Sequence, residues 1–159
     1  MNYVINQILK DLENELNSRD VQYFFFGKPE TEVSKDVFNK GAVFVSPLNT
    51  GIVAVTTGIT DEETHSIEII LAKNMQTKVY KNAQQETGVS FLTKVMDGRD
   101  ENNNVLTDTI RYIVRRHLRE YGIRQPAVSI EYDTEQFKAE GVVTATMTMT
   151  QEEHYAQQI

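Results

Sequence analysis

The sequence predicts an α+β fold: an antiparallel β-sheet with helices packed on one face, in a single domain. Helical patterns are segregated from strand patterns along the chain, whereas regular alternation would predict parallel βαβ units. Several strand segments alternate apolar and polar residues, as expected of a sheet that is covered on one side only. A length of 159 residues suits one domain, which we assign to residues 1–159.

The N-terminal region begins with an amphipathic helix. Residues 4–17 place apolar side chains three and four positions apart, which is the spacing of one helix face. An aromatic strand is predicted at 21–27, and the polar residues 28–41 predict a loop with a turn of helix. The apolar helix positions are Ile5, Ile8, Leu9, Leu12 and Leu16.

Three further segments predict strands. Residues 42–47 end at Pro47, which would interrupt a β-ladder, and 51–58 form a second β-rich run between glycines. The short link PLNT between them predicts a hairpin. Residues 65–72 alternate apolar and polar positions. The apolar face of this third strand contains Ile67, Ile69 and Leu71.

Two helices are predicted in the second half of the chain. Residues 105–122 form the longer one, with Asp108 near its positive end and Gly122 as its C-cap. Residues 89–96 form the shorter one. Its apolar positions are Phe91, Leu92, Val95 and Met96.

Two alternating strands, 127–133 and 142–150, are predicted to pair as an antiparallel hairpin. We expect the apolar face of the second strand to close the core against the helices. Its threonine face would meet solvent, a lumen or a neighbouring subunit. Residues 151–159 are predicted to leave the sheet as a short polar arm. The apolar positions are Val143, Ala145, Met147 and Met149.

Composition excludes several classes of protein. The chain has no cysteine, so disulfides and thiolate-bound metals are absent. A net charge of −7 disfavours a protein that grips phosphate backbones, because such binding needs clustered cations. The sequence has no apolar run long enough to cross a membrane and no secretory signal pattern, so we expect synthesis and folding inside a cell.

No combination of residues predicts catalysis. The three histidines, His65, His117 and His154, fall in different predicted elements, and no pair of them has metal-ligand spacing. Phosphate-binding glycine loops and the G-x-S-x-G nucleophile elbow are also absent. The oxygen-rich segment 97–104 lacks EF-hand spacing and favours a solvated loop. We therefore expect no catalytic, cofactor-binding or metal-binding residue, and no enzymatic activity.

Arginines concentrate in the longer predicted helix. Arg111, Arg115 and Arg119 follow one another at four-residue spacing, with Arg116 beside them. Like charges at this spacing repel, so carboxylates of the same chain or of a neighbour should oppose them. One interpretation is a solvated face softened by the helix dipole. The other is a polar subunit interface, because arginine is favoured in interfacial ion pairs.

Six segments define the organisation of the whole chain: VINQILKDLENEL, AVFVS, IEIILA, DTIRYIVRRHLRE, AVSIEYD and VVTATMTMT. This organisation resembles that of the tail-terminator and tail-completion proteins of tailed bacteriophages. The resemblance covers the full length and rests on no short diagnostic motif. It implies a non-enzymatic virion protein of the tail or neck, forming a ring that is expected to be hexameric. Such a ring ends polymerisation of the tail tube and offers a docking surface for the head connector.

The resemblance also implies partners and contacts. The partners would be other copies of the chain, the tail tube protein and the head–tail connector, with DNA passing through the lumen without sequence-specific binding. Residues 73–88, which have little periodicity, and the polar loop 134–141 would contact tube or connector. The arginine helix would hold ring neighbours together. The expected contact residues are Lys73, Lys78, Tyr80, Lys81, Phe137 and Lys138.

Two alternatives to a tail terminator remain open at this point. Another neck subunit or a sheath-capping subunit of a contractile tail would share the same organisation. A small soluble ligand-binding or hydrolytic α+β domain belongs to a different class, and it would need a concave pocket with converging polar groups.

Overall fold

The predicted α+β class is confirmed, because the described residues form a central five-stranded sheet with helices packed against it. In this computed structural model the described residues are 2–16, 21–29, 35–54, 60–74, 91–100, 102–120, 127–133 and 142–156. The helices are α1 (Asn2–Leu16), α2 (Lys35–Lys40) and α3 (Ile110–Glu120), with a π-helical turn at Thr93–Asp97. The strands are β1 (Tyr23–Phe26), β2 (Ala42–Ala54), β3 (Thr60–Asn74), β4 (Ala127–Asp133) and β5 (Val142–Ala156).

The strand order in the sheet is β1-β2-β3-β5-β4. Three of the four pairings are antiparallel, including the predicted β4–β5 hairpin. The prediction of a purely antiparallel sheet is wrong at one edge, because β1 lies parallel to β2. Parallel neighbours need a crossover between them, and α2 lies in that crossover.

The main core lies between one face of the sheet and the helices α1 and α3. The predicted apolar faces of β3 and β5 are confirmed, since register pairs Ile69 with Met147 and all these positions are buried. The apolar stripe of α1 and the four apolar positions at 91–96 enter the same core. Its members include Ile5, Ile8, Leu12, Leu16, Ile67, Ile69, Leu71, Phe91, Leu92, Val95, Met96, Val143, Ala145, Met147 and Met149.

A second, smaller cluster covers part of the other face, so the prediction of helices on one face only is wrong. Phe38 of α2 is buried there against Phe44 and Ile70. The alternation of β3 correctly predicts that Ile70 lies opposite the main core. The polar face of β5 is also partly covered, because Thr144 is buried. The crossover between β1 and β2 passes over this face of the sheet, so it needs apolar residues to pack against the face, and α2 supplies them.

The predicted hairpin at PLNT does not form, because β2 continues through Pro47 to Ala54. The register of β2 against β3 shifts between Pro47 and Asn49, where a bulge accommodates the proline. On the other side, β1 accompanies β2 only as far as Val45. Pro47 therefore lies beyond the paired part of that edge, where a missing N–H donor costs least.

The long helix begins five residues later than predicted, at Ile110 instead of residue 105. Val105 forms an isolated antiparallel bridge with Arg99, and the N–H of Leu106 donates to the carbonyl of Gly98 at 2.8 Å. These two contacts fold the segment back as a loop. The predicted helix residues 121 and 122 lie outside the described residues.

The three central strands project past both edge strands as a ribbon. Register pairs 50–54 of β2 with 61–65 of β3, and 60–65 of β3 with 151–156 of β5. We call these segments, 50–54, 60–65 and 151–156, the distal ribbon. The predicted C-terminal arm is thus a paired strand as far as residue 156, and residues 157–159 lie outside the described part of the chain.

Gly98 ends the π-helical turn in a conformation that favours glycine, with φ of 85°. Its N–H donates to the carbonyl of Thr93 at 3.2 Å. A Cβ at this position would lie 2.7 Å from Oγ1 of Thr109 and 2.8 Å from Cδ2 of Tyr112. Gly27, which ends β1 with φ of 114°, has no atom within 4 Å of the same position.

We predict that Gly98→Ala destabilises the protein more than Gly27→Ala does. Both substitutions carry a backbone strain of roughly 1–3 kcal/mol, since both glycines have positive φ. Only Gly98→Ala adds overpacking against Thr109 and Tyr112, about 1–3 kcal/mol more. Urea unfolding of the two variants measures the difference, with Gly27→Ala as the matched control. Equal losses would show that the loop before α3 yields to the added methyl group.

Candidate assembly surfaces

Arg111 of α3 bonds to a carboxylate of its own chain. Its Nη1 donates to Oδ1 of Asp97 at 2.8 Å, and both side chains are about one-third exposed. Asp97 closes the π-helical turn, so the ion pair fastens this turn to the first part of α3. Partial burial makes the pair worth more than a fully solvated one, although such pairs rarely exceed about 1 kcal/mol.

Arg116 also finds its acceptor inside the chain. Its Nη2 donates to Oε2 of Glu15 in α1 at 2.6 Å, across a sequence separation of 101 residues. The bond joins the end of α1 to the second half of α3. The expectation that carboxylates must oppose these arginines is therefore met within one chain for Arg111 and Arg116.

Arg115 occupies a different position on α3. Its side chain is exposed, in contrast to the half-buried Arg111 one turn before it. Arg119 belongs to α3, but the structure describes only its backbone. The interface hypothesis for the arginine helix consequently depends most on Arg115, because two of its neighbours already hold the fold together.

Tyr132 extends this polar group to the edge strand β4. Its hydroxyl shares a side-chain hydrogen bond with Thr93, and Asp97 and Arg111 are close enough to influence its charge. Partial burial raises the pKa of Tyr132 above its ordinary value, and the negative charge of Asp97 acts in the same direction. The Thr93 bond and Arg111 oppose the shift. The group links β4, the π-helical turn and α3.

Lys73, expected in a loop that contacts tube or connector, lies inside β3 instead. The strand continues until Asn74 pairs with Val142, which places Lys73 opposite Val143 on the core side. Its side chain is only 5% exposed, and its Nζ lies 5.8 Å from the ring centroid of Phe91. A cation over a ring at this distance is attracted by the ring's negative face. The predicted boundary of the unpatterned segment is therefore wrong by two residues.

The other expected tube or connector contacts lie outside the described residues. They are Lys78, Tyr80, Lys81, Phe137 and Lys138. Their proposed role therefore stays a prediction.

Both edges of the sheet expose apolar side chains that sequence reasoning does not single out. On β4, Val128 and Tyr132 are each 40% exposed. On β1, Phe26 is 47% exposed, and Phe25, which stacks on Phe44 at 5.1 Å between ring centroids, is also exposed. The run of three phenylalanines is the available signal. It predicts a strand, but it does not indicate which side of that strand has a neighbour.

In the oxygen-rich segment 97–104, the Asp97 carboxylate is bonded to Arg111, whereas that of Asp100 is bonded within the segment. The Asp100 carboxylate accepts the backbone N–H of Asn102 and of Asn104, each at 2.9 Å. These bonds, the one from Asn104 foremost, hold the pKa of Asp100 below its usual value. Across the part of the chain that is described, no three His, Asp or Glu residues gather as metal ligands. Within the same part, no helix is long and apolar enough to span a bilayer.

Comparisons with known proteins add little to this geometry. No protein-family model matches the sequence, and no curated protein matches it. One similar solved structure is a mycobacterial sensor histidine kinase, MprB, which is 12% identical over 95% of each chain. The TM-score of that match is 0.29, which is too low to support an argument about fold or function.

We predict that Tyr132 makes the stability of the protein depend on pH in alkaline solution. A pKa raised by folding means that the native state holds the phenolic proton more tightly than the unfolded state does. The stabilisation is fully present below the unfolded pKa of about 10 and is lost as pH rises through the folded pKa. Urea unfolding of the wild type and of Tyr132→Phe, at several pH values from about 8 to 11, measures it.

The stability difference between wild type and Tyr132→Phe should be constant in the lower part of this range and change above pH of about 10. The phenylalanine variant keeps the ring and its packing, and it loses the hydroxyl with both its ionisation and its hydrogen bond to Thr93. A difference that stays constant through the whole range would show that Tyr132 ionises equally in both states.

Proposed function

We propose that this chain is a virion structural protein of the tail-terminator type. It forms a homo-oligomeric ring that caps the tail tube, ends its polymerisation and provides the docking surface for the head connector. The observation that carries the proposal is the distal ribbon, in which three long strands extend beyond the part of the sheet that the edge strands β1 and β4 flank. A ribbon of this kind gives the domain a projecting element for contact with other subunits.

The ribbon has two open sides among the described residues. β1 flanks β2 only along Ala42–Val45, and β4 flanks β5 only along Thr144–Thr150. Natural proteins usually cover such strand edges, because unpaired N–H and C=O groups are templates for further pairing. An assembly in which ribbons meet neighbouring subunits or the tube end would supply that cover.

The charge of the ribbon supports a place beside a DNA passage. By sequence, residues 61–63 and 152–153 are all acidic, and the register sets Glu63 directly opposite Glu153. Like charges opposite each other in a sheet cost roughly 0.2–1 kcal/mol per pair. In return for this repulsion, the acidic residues would give a ring lumen a negative lining, along which DNA could slide without binding. The overall charge of −7 acts in the same sense.

The mechanism is geometric and requires no chemistry. A closed ring matches the symmetry of the tube end. The side of this ring that faces away from the tube differs from the side that a tube ring would present there. Addition of the ring therefore leaves no surface on which the next tube ring can polymerise. The same exposed side is available to the connector.

We predict that the purified protein forms a ring with a defined number of subunits, alone or on tube ends. Light scattering after size exclusion measures the mass, and electron microscopy of purified tail tubes locates the protein. We expect capped tubes of uniform length and density at one end only. A monomer that never binds tube ends at any concentration would refute the proposal. Binding to sheath ends, with bare tubes ignored, would identify the sheath-capping alternative.

A further inference from the structure

We infer that copies of this chain join through two different sheet edges, with β4 of one copy against β1 of the next and Arg115 opposite Glu13 of the neighbouring copy. The inference rests on the proposed function, since a closed ring needs two unlike surfaces that fit each other. It identifies the partner as a second copy of the chain and names the surfaces involved.

The two edges suit each other because each exposes apolar side chains on the helix-covered face. Register places Val128 and Tyr132 on the same face as Met149 and Ala145, and Phe26 on the same face as Val45. β4 lacks several of the features that protect an edge strand. Its only charged residues are Glu131 and Asp133. Its sequence AVSIEYD contains no lysine or proline, and its register with β5 has no bulge. Edges without these features are prone to pair with another strand.

The topology fixes the direction of the pairing. β2 runs parallel to β1, and each further step through β3, β5 and β4 reverses the direction. β4 consequently runs opposite to β1. A second copy placed beside β4 in the same orientation presents its β1 antiparallel to β4, with the helices of both copies on the same side. The apolar residues of the two edges then lie on one continuous face.

Exposed charges of opposite sign lie on the helices above the two edges, Arg115 on α3 and Glu13 on α1, and α1 also exposes Lys10. α1 packs over β1 and β2, whereas α3 and the π-helical turn reach Tyr132 on β4. Arg115 lies about 40° around α3 from Arg111, the residue on the β4 side. On α1, Glu15 points to α3 of its own copy through Arg116. Glu13 is exposed and lies about 160° around α1 from Glu15, on the side away from α3.

Arg115 and Glu13 therefore face outward from opposite ends of the helix layer. Joining β4 to β1 of the next copy brings these two ends together. Their charges attract across a contact between chains that otherwise repel, because each chain carries a net charge of −7. Arg111 and Arg116 take no part, since their intrachain carboxylates already hold them.

Charge reversal at the two positions tests the contact. Arg115→Glu alone and Glu13→Arg alone each place like charges across every joint. Each should raise the concentration needed for assembly by up to roughly fivefold for the loss of one exposed ion pair at a joint. The double variant Arg115→Glu/Glu13→Arg restores attraction and should assemble as the wild type does. Lys40→Glu, a reversal on α2 at the other face of the sheet, is the control and should assemble normally.

Mixing the two single variants gives a sharper result. In a ring that alternates the variants, each introduced glutamate meets an introduced arginine, and each native Arg115 meets a native Glu13. Two proteins that assemble poorly alone should therefore assemble together, provided that the number of subunits is even. A double variant and a mixture that both stay dispersed would overturn the proposed pairing of these residues.

Engineered cysteines test the strand pairing independently, because the chain has none of its own. Ser129 on β4 and Phe25 near the end of β1 are both exposed on the face opposite the main core. With a short bis-maleimide, the variant Ser129→Cys/Phe25→Cys should give a ladder of covalent oligomers. Neither single-cysteine variant should give more than background. Dimers from Ser129→Cys alone would show a two-fold β4–β4 contact and overturn the inference.

The outcomes separate this inference from the proposed function. A wild-type chain that forms no ring counts against the tail-terminator proposal. A wild-type ring on tube ends that is insensitive to Arg115 and Glu13, and gives no ladder, leaves that proposal intact and removes this interface. Circular dichroism and thermal unfolding of each variant confirm that it is folded before its assembly is measured.

Discussion

The pairing of β3 with β5 is the constraint on which the rest of the structure depends. Register joins Thr60–Asn74 to Val142–Ala156 along their whole length without a bulge. β2 is added to one side of this pair and β4 to the other. A slip of one residue would turn Met147 and Ile69 away from each other's face and expose one of the two apolar sets. Uninterrupted register is therefore what gives the helices a single apolar surface to cover.

The helix layer follows from that surface and is fastened by polar contacts at its rim. Leu12 and Leu16 of α1 are fully buried on the sheet, as are Ile110 and Ile113 of α3. Burying a side chain of this size stabilises a fold by about 1.5–3 kcal/mol, more than an exposed ion pair does. The bonds of Arg111 and Arg116 consequently orient α3 more than they hold it. Orientation matters here because it decides which residues of α3 face outward.

Periodicity in the sequence is sufficient to predict which residues are buried wherever burial depends on the geometry of a single helix or strand. The buried stripe of α1, the alternate faces of β3 and β5 and the apolar positions at 91–96 all lie where the spacing indicates. Each follows from the geometry of a single helix or strand. The predicted bounds of β4 are likewise correct, because alternation and turn residues coincide at both ends of 127–133.

Features that depend on distant neighbours are not predictable in this way. Proline usually ends a strand, but the cost of the N–H donor that Pro47 lacks depends on whether β1 reaches that far along β2. The acceptors of Arg111 and Arg116 are 14 and 101 residues away in sequence. The exposure of the β4 and β1 edges depends on the strand order. No local pattern reports any of these, because each is decided by what folds against the residue.

The separation of β3 from β5 along the chain has a consequence during synthesis. β3 is complete at residue 74, but its partner strand begins only at Val142. At a synthesis rate of about 5–20 residues per second, the edge of β3 that pairs with β5 stays unpaired for on the order of several seconds. During that interval Ile67, Ile69 and Leu71 belong to an unfinished sheet, and such surfaces favour aggregation. Nascent chains should therefore depend on chaperones more than the finished domain does.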